Sequence, residues 1–226
     1  MRDYQYVRPA DIEKESMRII EAEMAERGIE VPPEDLTVVK RVIHTSADFD
    51  YGTNLKFPEG ASRRIVQALR EGNKVFITDT NMALSGISKP SLAKLDAKAL
   101  CYMADPEIMK QAKEQGTTRA AASMRRGAAE YPEAVFVSGN APTALITLSE
   151  LIREGLRPSA VVAVPVGFVN VVESKEEIFG LCEEAGIPCI AAFGRKGGSN
   201  VAASICNALL YQAVDMVDPL KRGWQK

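Results

Sequence analysis

The spacing of apolar residues changes near residue 74, and the change divides the chain into two portions. Before it, the pattern is helical. After Pro9, the residues Ile12, Met17, Ile20 and Met24 form a partly periodic stripe through ADIEKESMRIIEAEMAERG, and Gly28 ends it. After Pro32-Pro33, Leu36, Val39, Val42 and Ile43 predict a second helix over EDLTVVKRVIHTS, with His44 in its last turn. EGASRRIVQALREGN predicts a third, with Gly72 near its stop. From residue 74 onward, the short β-rich runs KVFIT, ALCYM, AVFVS, AVVAV and CIAAF each precede helical sequence: PEIMKQAKEQG, TTRAAASMRRGAAEY, PTALITLSELIREG, SKEEIFGLCEEAG and SNVAASICNALLYQAV. The runs are continuously apolar, as strands buried on both faces are. Alternating strands and helices imply parallel strands joined by right-handed crossovers. The expected fold is α/β: a three-layer α/β/α sandwich around a mainly parallel, five-stranded sheet. No repeat or low-complexity linker interrupts the chain, so residues 1–226 are expected to form one domain, with a helical portion at 1–73 and a β/α portion at 74–215.

Composition narrows the function classes. The chain is 46% hydrophobic and 26% charged, with a net charge of −2, which is the balance of a soluble globular protein. A near-neutral chain lacks the basic field that bulk nucleic-acid binding needs, so any anionic ligand must be met by local cationic groups. The cysteines at 101, 182, 189 and 206 have no two-residue spacing and read as small apolar residues in a reducing compartment. The start MRDYQYVRPADIEKES has no apolar leader, and AVVAVPVGFV is too short for a bilayer span and is interrupted by Pro165 and Gly167. A cytoplasmic protein without a membrane partner is expected.

In open parallel sheets, ligands gather outside the carboxyl ends of the strands. Those ends read TDTNM (78–82), ADPE (104–107), SGNAPT (138–143), PVGFVN (165–170) and GRKGGSN (194–200). GRKGGSN has three glycines for close backbone approach, Ser199 to cap the next helix, and Arg195 and Lys196 for an anion. It reads equally as an ordinary strand-to-helix turn. GTTRAAASMRRG sets Arg119, Ser123 and Arg126 on one helical face, either a carboxylate-gripping strip or a solvated basic face packed through its alanines. SGNAPTAL and PVGFVN supply turns, and by themselves they specify no chemistry. Asp48 and Asp50 beside His44 offer too few ligands for a catalytic metal centre.

His44 is the only histidine. By itself a lone histidine beside an apolar helix face reads as structural. The helix carboxyl end and Asp48 favour imidazolium, whereas burial and Arg41 oppose it, and the sequence leaves that balance open. A group with an ordinary pKa of about 6.5 needs little tuning to donate a proton near neutrality.

Taken together, RVIHTSADFDY, TDTNMALSGI, TTRAAASMR, VSGNAPTAL, PVGFVNVVESKE and GRKGGSNVAASICNALL, in this order over residues 41–210, resemble the precorrin-8X methylmutase family, which includes the cobalt-precorrin-8 methylmutases. RPADIEKESMRIIEAE is similar to the family's first helix, whereas the tail DPLKRGWQK has no assigned role. The resemblance implies a flavodoxin-like α/β homodimer without an organic cofactor. It would move a methyl group from C-11 to C-12 of a corrinoid ring in cobalamin biosynthesis. It maps the proton donor onto His44, and it maps onto Arg119 an arginine that reaches the partner subunit's site. Substrate contacts are expected from Ser16, Arg41, Thr45, Thr80, Ser85, Arg119, Ser123, Asn140, Gly167, Lys196, Gly197 and Ser199, with no metal. Exchange of the corrinoid with neighbouring pathway enzymes is a further expectation.

The chemistry fits that implication. A large flat ring edged with carboxylates needs a wide cleft, small-residue walls and cationic or amide donors. An internal methyl shift consumes no redox equivalent, and one well-placed acid supplies roughly 10²–10⁴ in rate. Two rivals remain: a phosphate- or nucleotide-binding α/β enzyme using GRKGGSN, and a corrinoid carrier that changes nothing. Neither needs a proton donor at His44.

Overall fold

Pro9 in its first turn and Gly28 beyond its end, at φ 65°, delimit α1 (Pro9–Glu26) in the computed structural model, which describes residues 8–72 and 74–223. The charged start before residue 8 and the last three residues of the tail lie outside the described residues. α2 (Leu36–Ser46) follows and ends on Ala47 in the left-handed conformation, φ 52°. A single turn, α3 (Tyr51–Asn54), leads into β1 (Leu55–Lys56), and α4 (Ala61–Glu71) closes the helical portion.

The second portion alternates β2 (Val75–Thr78), α5 (Asn81–Gly86), α6 (Lys89–Leu95), β3 (Lys98–Leu100), α7 (Pro106–Glu114) and α8 (Arg119–Glu130). It continues through β4 (Val135–Ser138), α9 (Pro142–Arg153), β5 (Ala160–Ala163), α10 (Val171–Ala185), β6 (Cys189–Ala192) and α11 (Ser199–Ala213), then a 3₁₀ turn at Pro219–Arg222.

Among the described residues the sheet has six strands in the order β1-β6-β5-β4-β2-β3. All five expected runs are strands, and they pair in parallel. The expectation of five strands is short by one: Leu55 and Lys56 add an antiparallel edge strand opposite Ala192 and Ala191. Two residues cannot show a period, so only tertiary pairing reveals this strand.

Side-chain alternation divides the core between the two faces of the sheet. Phe76, Val135, Val137, Val162 and Ile190 pack with residues of α1, α2, α4 and α11. Their neighbours Ile77, Phe136, Val161, Cys189 and Ala191 pack with α8, α9 and α10. Each fully buried Val, Ile or Phe side chain among them contributes about 1.5–3 kcal/mol of transfer free energy. The N-terminal helices therefore cover the same face as α11, and Ser204 of α11 donates to the Arg41 carbonyl (2.9 Å), one turn before His44.

Candidate active site

The chain turns outward from β2 in two directions: to β3 on one side, and through β4 and β5 to β6 on the other. Ligands of open α/β sheets collect at such a switch point. A cleft of about 600 Å³ lies there, and all five strand-end loops reach it. Thr80, Asn81 and Met82 come from the first, Met103 and Ala104 from the second, Asn140 from the third, Val166 from the fourth and Gly197 to Asn200 from the last; Arg119 of α8 completes the wall.

Two buried charges hold these loops. Asp79, fully buried just after β2, accepts hydrogen bonds from the backbone N–H groups of Gly139 (2.8 Å), Asn140 (2.8 Å) and Ala141 (2.7 Å) and from Ser138 Oγ (3.2 Å). Burial pushes its carboxyl up, and the four donors pull it back. Lys175 of α10 is also fully buried, and its Nζ donates to the carbonyls of Gly194 and Lys196, each at 2.8 Å. Desolvation lowers its pKa to about 8.

The glycine loop packs backbone against backbone. A Cβ on Gly197 would stand 2.3 Å from the Val164 carbonyl oxygen and 2.5 Å from that of Pro165, so no side chain fits there. Gly198, at φ 134°, donates its N–H to Val164 O (2.9 Å) and leads into α11. Ser199 Oγ meets Thr80 Oγ1 at 2.8 Å, and Thr80 Oγ1 also accepts from Ala83 N (2.9 Å), so Thr80 caps α5. The amino end of α11 thus opens onto the cleft with its partial positive charge.

His44 stands in the last turn of α2, exposed to solvent but partly desolvated, outside the cleft lining. That desolvation and Arg41 one turn earlier hold the imidazole below its ordinary value; Glu13 acts in the opposite direction and Arg222 in the same one. The balance that sequence left open thus falls on the neutral side. The turn after α2 is tied to the cleft: Lys196 Nζ lies 2.6 Å from both Asp48 Oδ2 and Asp50 Oδ2. The two aspartates do face one point, through a turn in which Asp50 N donates to Asp48 Oδ1 (3.0 Å), and a lysine occupies that point. Among the described residues no cluster of three or more His, Cys, Asp or Glu could hold a metal ion.

Of the positions predicted to meet a ligand, Thr80, Arg119, Asn140, Gly197 and Ser199 come together in the cleft. Lys196 is in the same loop but is committed to its aspartates. Gly167, at φ 146°, turns the neighbouring loop and donates to Arg195 O (3.3 Å). Thr45 and Ser85 are exposed on α2 and α5, and Ser16 is half-buried on α1. Arg41 binds Glu13 at 2.8 Å. The α8 strip does not act as a unit: Arg119 faces the cleft, Ser123 is fully buried with no partner for its hydroxyl, and Arg126 is paired with Asp105 (2.6 Å) and Glu130 (2.7 Å).

Sequence reasoning missed several contributors. Asp79 had a signal, an acid directly after an apolar run. Lys175 had a subtler one, since it shares the buried stripe of Val171, Ile178 and Cys182. Met82, Phe168 and Val169 are 73%, 81% and 75% exposed, and the Arg195 guanidinium lies over the Phe168 ring at 5.4 Å. Consecutive apolar residues in a loop were the available clue.

An α/β fold whose strand-end loops converge on an open cleft lined by cationic, amide and apolar groups defines the class of α/β proteins with a candidate ligand site at the switch point of the sheet. A family model described as precorrin-8X methylmutase matches residues 11–212. The cobalt-precorrin-8 methylmutase of Salmonella typhimurium is 47% identical over 175 residues, covering 77% of this chain and 80% of that one. That of Priestia megaterium is 39% identical, covering 90% and 88%. The crystal structure of precorrin-8X methyl mutase from Thermus thermophilus is 33% identical and superposes with a TM-score of 0.77, covering 90% of this chain and 98% of that one. The chain belongs to the precorrin-8X methylmutase family. It is an isomerase, transferring a methyl group within one molecule in cobalamin biosynthesis.

Proposed function

We propose that the enzyme moves the methyl group from C-11 to C-12 of precorrin-8X or cobalt-precorrin-8, giving hydrogenobyrinic or cobyrinic acid, with His44 as the general acid. The observation that carries this reading is the convergence of five loops on one wide cleft that offers Arg119, amide groups and a helix amino end for carboxylates, beside exposed apolar side chains for a ring. The relatives at 47% and 39% identity are named for the cobalt form and the one from Pseudomonas aeruginosa, at 34%, for precorrin-8X, which favours the cobalt-containing ring as substrate.

Protonating the macrocycle draws electrons from its π-system and favours migration to the adjacent carbon. Isomerisation leaves composition unchanged, so the proton must return after the methyl group has moved. The neutral imidazole left by donation is the group to receive it. Thr80, Ser85, Asn140, Gly167, Gly197 and Ser199 serve the ring and its side chains from the cleft side, and Ser16, Arg41, Thr45 and Lys196 frame the His44 side; Ser123 is buried on α8, across the sheet from α2, and takes no part. The apolar surface at Met82, Phe168 and Val169 supports pairing of two copies, with Arg119 reaching across. The strand order supports a flavodoxin-like three-layer fold, 2-1-3-4-5 when the parallel strands alone are numbered. One domain working in the cytoplasm, and passing the corrinoid to and from neighbouring pathway enzymes, completes the reading. No described helix is long and apolar enough to cross a membrane.

His44→Ala is expected to lower turnover by about 10²–10⁴ while largely retaining the coloured ligand, followed by absorption during conversion of a precorrin-8 extract. Wild-type speed in that variant sinks the proposal, and a carrier or phosphate-binding protein would show no dependence on His44. Because the acid form is required and burial depresses it, kcat/KM should rise as pH falls toward a midpoint below 6.5.

A further inference from the structure

Behind His44, four elements meet at one buried carboxylate. Glu13 of α1 accepts from the Nη2 atoms of Arg41 on α2, at 2.8 Å, and of Arg222 in the C-terminal 3₁₀ turn. The Glu13 and Arg222 side chains are each 5% exposed, and that of Arg41 is 12% exposed. Both guanidiniums lie over the ring of Tyr211 on α11, Arg41 at 5.2 Å and Arg222 at 4.6 Å from its centroid. Burial opposes the Glu13 charge, but the two arginines outweigh it and hold its carboxyl below the usual range. Removing one partner from such a buried ionic cluster leaves the others costly to keep, so the cluster holds the tail against α1 and α2 in one arrangement. Ser204 Oγ donates to Arg41 O (2.9 Å), which fixes the same turn of α2 from the α11 side.

We infer that Glu13 and Arg222 are positioning residues for His44, the buried Arg222 side chain of the C-terminal turn serving as a latch that sets the place and the electrostatic surroundings of the imidazole. The inference rests on the reading of His44 as the proton donor and gives the tail a part in the reaction. The charges around that helix end come from Glu13 on α1, Arg41 on α2 itself and Arg222 on the tail. α11 and α3 carry no Asp, Glu, Lys or Arg, and Asp48 and Asp50 in the following turn are engaged by Lys196.

A single histidine makes the test direct, because the imidazole NMR signal of the whole chain belongs to His44. Arg222→Met removes a nearby positive charge and should raise the His44 titration midpoint. Glu13→Gln removes the negative one and should lower it, by more than the loss of Arg222 raises it. Both changes break the same buried cluster, so a purely structural role would not move the midpoint in opposite directions. Arg222→Lys keeps the charge and should keep the midpoint near that of wild type, and dispersed spectra from the same samples establish folding. Midpoints unmoved in both variants, or moved in the same direction, overturn the inference. The titration needs no substrate, so failure of the latch is separate from failure of His44→Ala to lose turnover.

Discussion

The cleft at the strand ends and the quarter around His44 are built on opposite plans. In the cleft, buried charges are used as anchors for backbone: Asp79 binds three N–H groups of one loop and Lys175 two carbonyls of another. The side chains that face outward, such as Arg119 and Asn140, are left without ion pairs among the described residues. Around His44, charges bind one another, Arg41 and Arg222 with Glu13, and Lys196 with Asp48 and Asp50. The first plan fixes shape and leaves donors for a ligand. The second surrounds one ring with paired charges and offers few donors. On the proposed function, a substrate larger than either region uses both.

The contrast is most exposed at Asp79. Asp79→Asn replaces an acceptor oxygen with a donor facing several N–H groups and is expected to cost about 3 kcal/mol or more by urea unfolding. A loss below 1 kcal/mol would mean that the loops do not depend on that anchor. Lys175 sharpens the comparison through pH. Its folded pKa of about 8 lies below its unfolded value of 10.5, so the unfolded chain binds more protons between those values. Stability should therefore rise with pH across that window, by about 2–3 kcal/mol relative to Lys175→Met, in which this contribution is absent. Parallel pH profiles for the two proteins would contradict a buried ammonium. Arg119→Ala gives the smallest effect: roughly tenfold weaker corrinoid binding with unchanged stability, about 1.4 kcal/mol. Unchanged affinity in an absorption titration would remove Arg119 from the binding wall.

Much of this architecture is legible in the chain. The five parallel strands follow from unbroken apolar runs, and the helix boundaries follow from Pro9, Gly28 and Gly72. The loops that gather at the cleft follow from parallel topology alone. β1 was not legible, because two residues have no period, and neither were α5 and α6, which are short and begin on threonine and serine caps. Ser123 was misleading: its helical spacing from Arg119 is real, but one turn into α8 that face is covered by neighbouring elements, and only Arg119 at the helix start stays exposed. The pairing of Lys196 with two aspartates nearly 150 residues earlier, and of Arg222 with Glu13, depends on contacts that no local pattern encodes.

The sheet margins bear on how the molecule can associate. One margin is a two-residue antiparallel strand and the other has three residues beginning with a lysine. Such stubs offer too few unpaired main-chain groups for a neighbour to continue the ladder, a common route to uncontrolled polymerisation. Self-association must therefore be written in side chains, where single substitutions can strengthen, weaken or redirect it without disturbing the pleated framework.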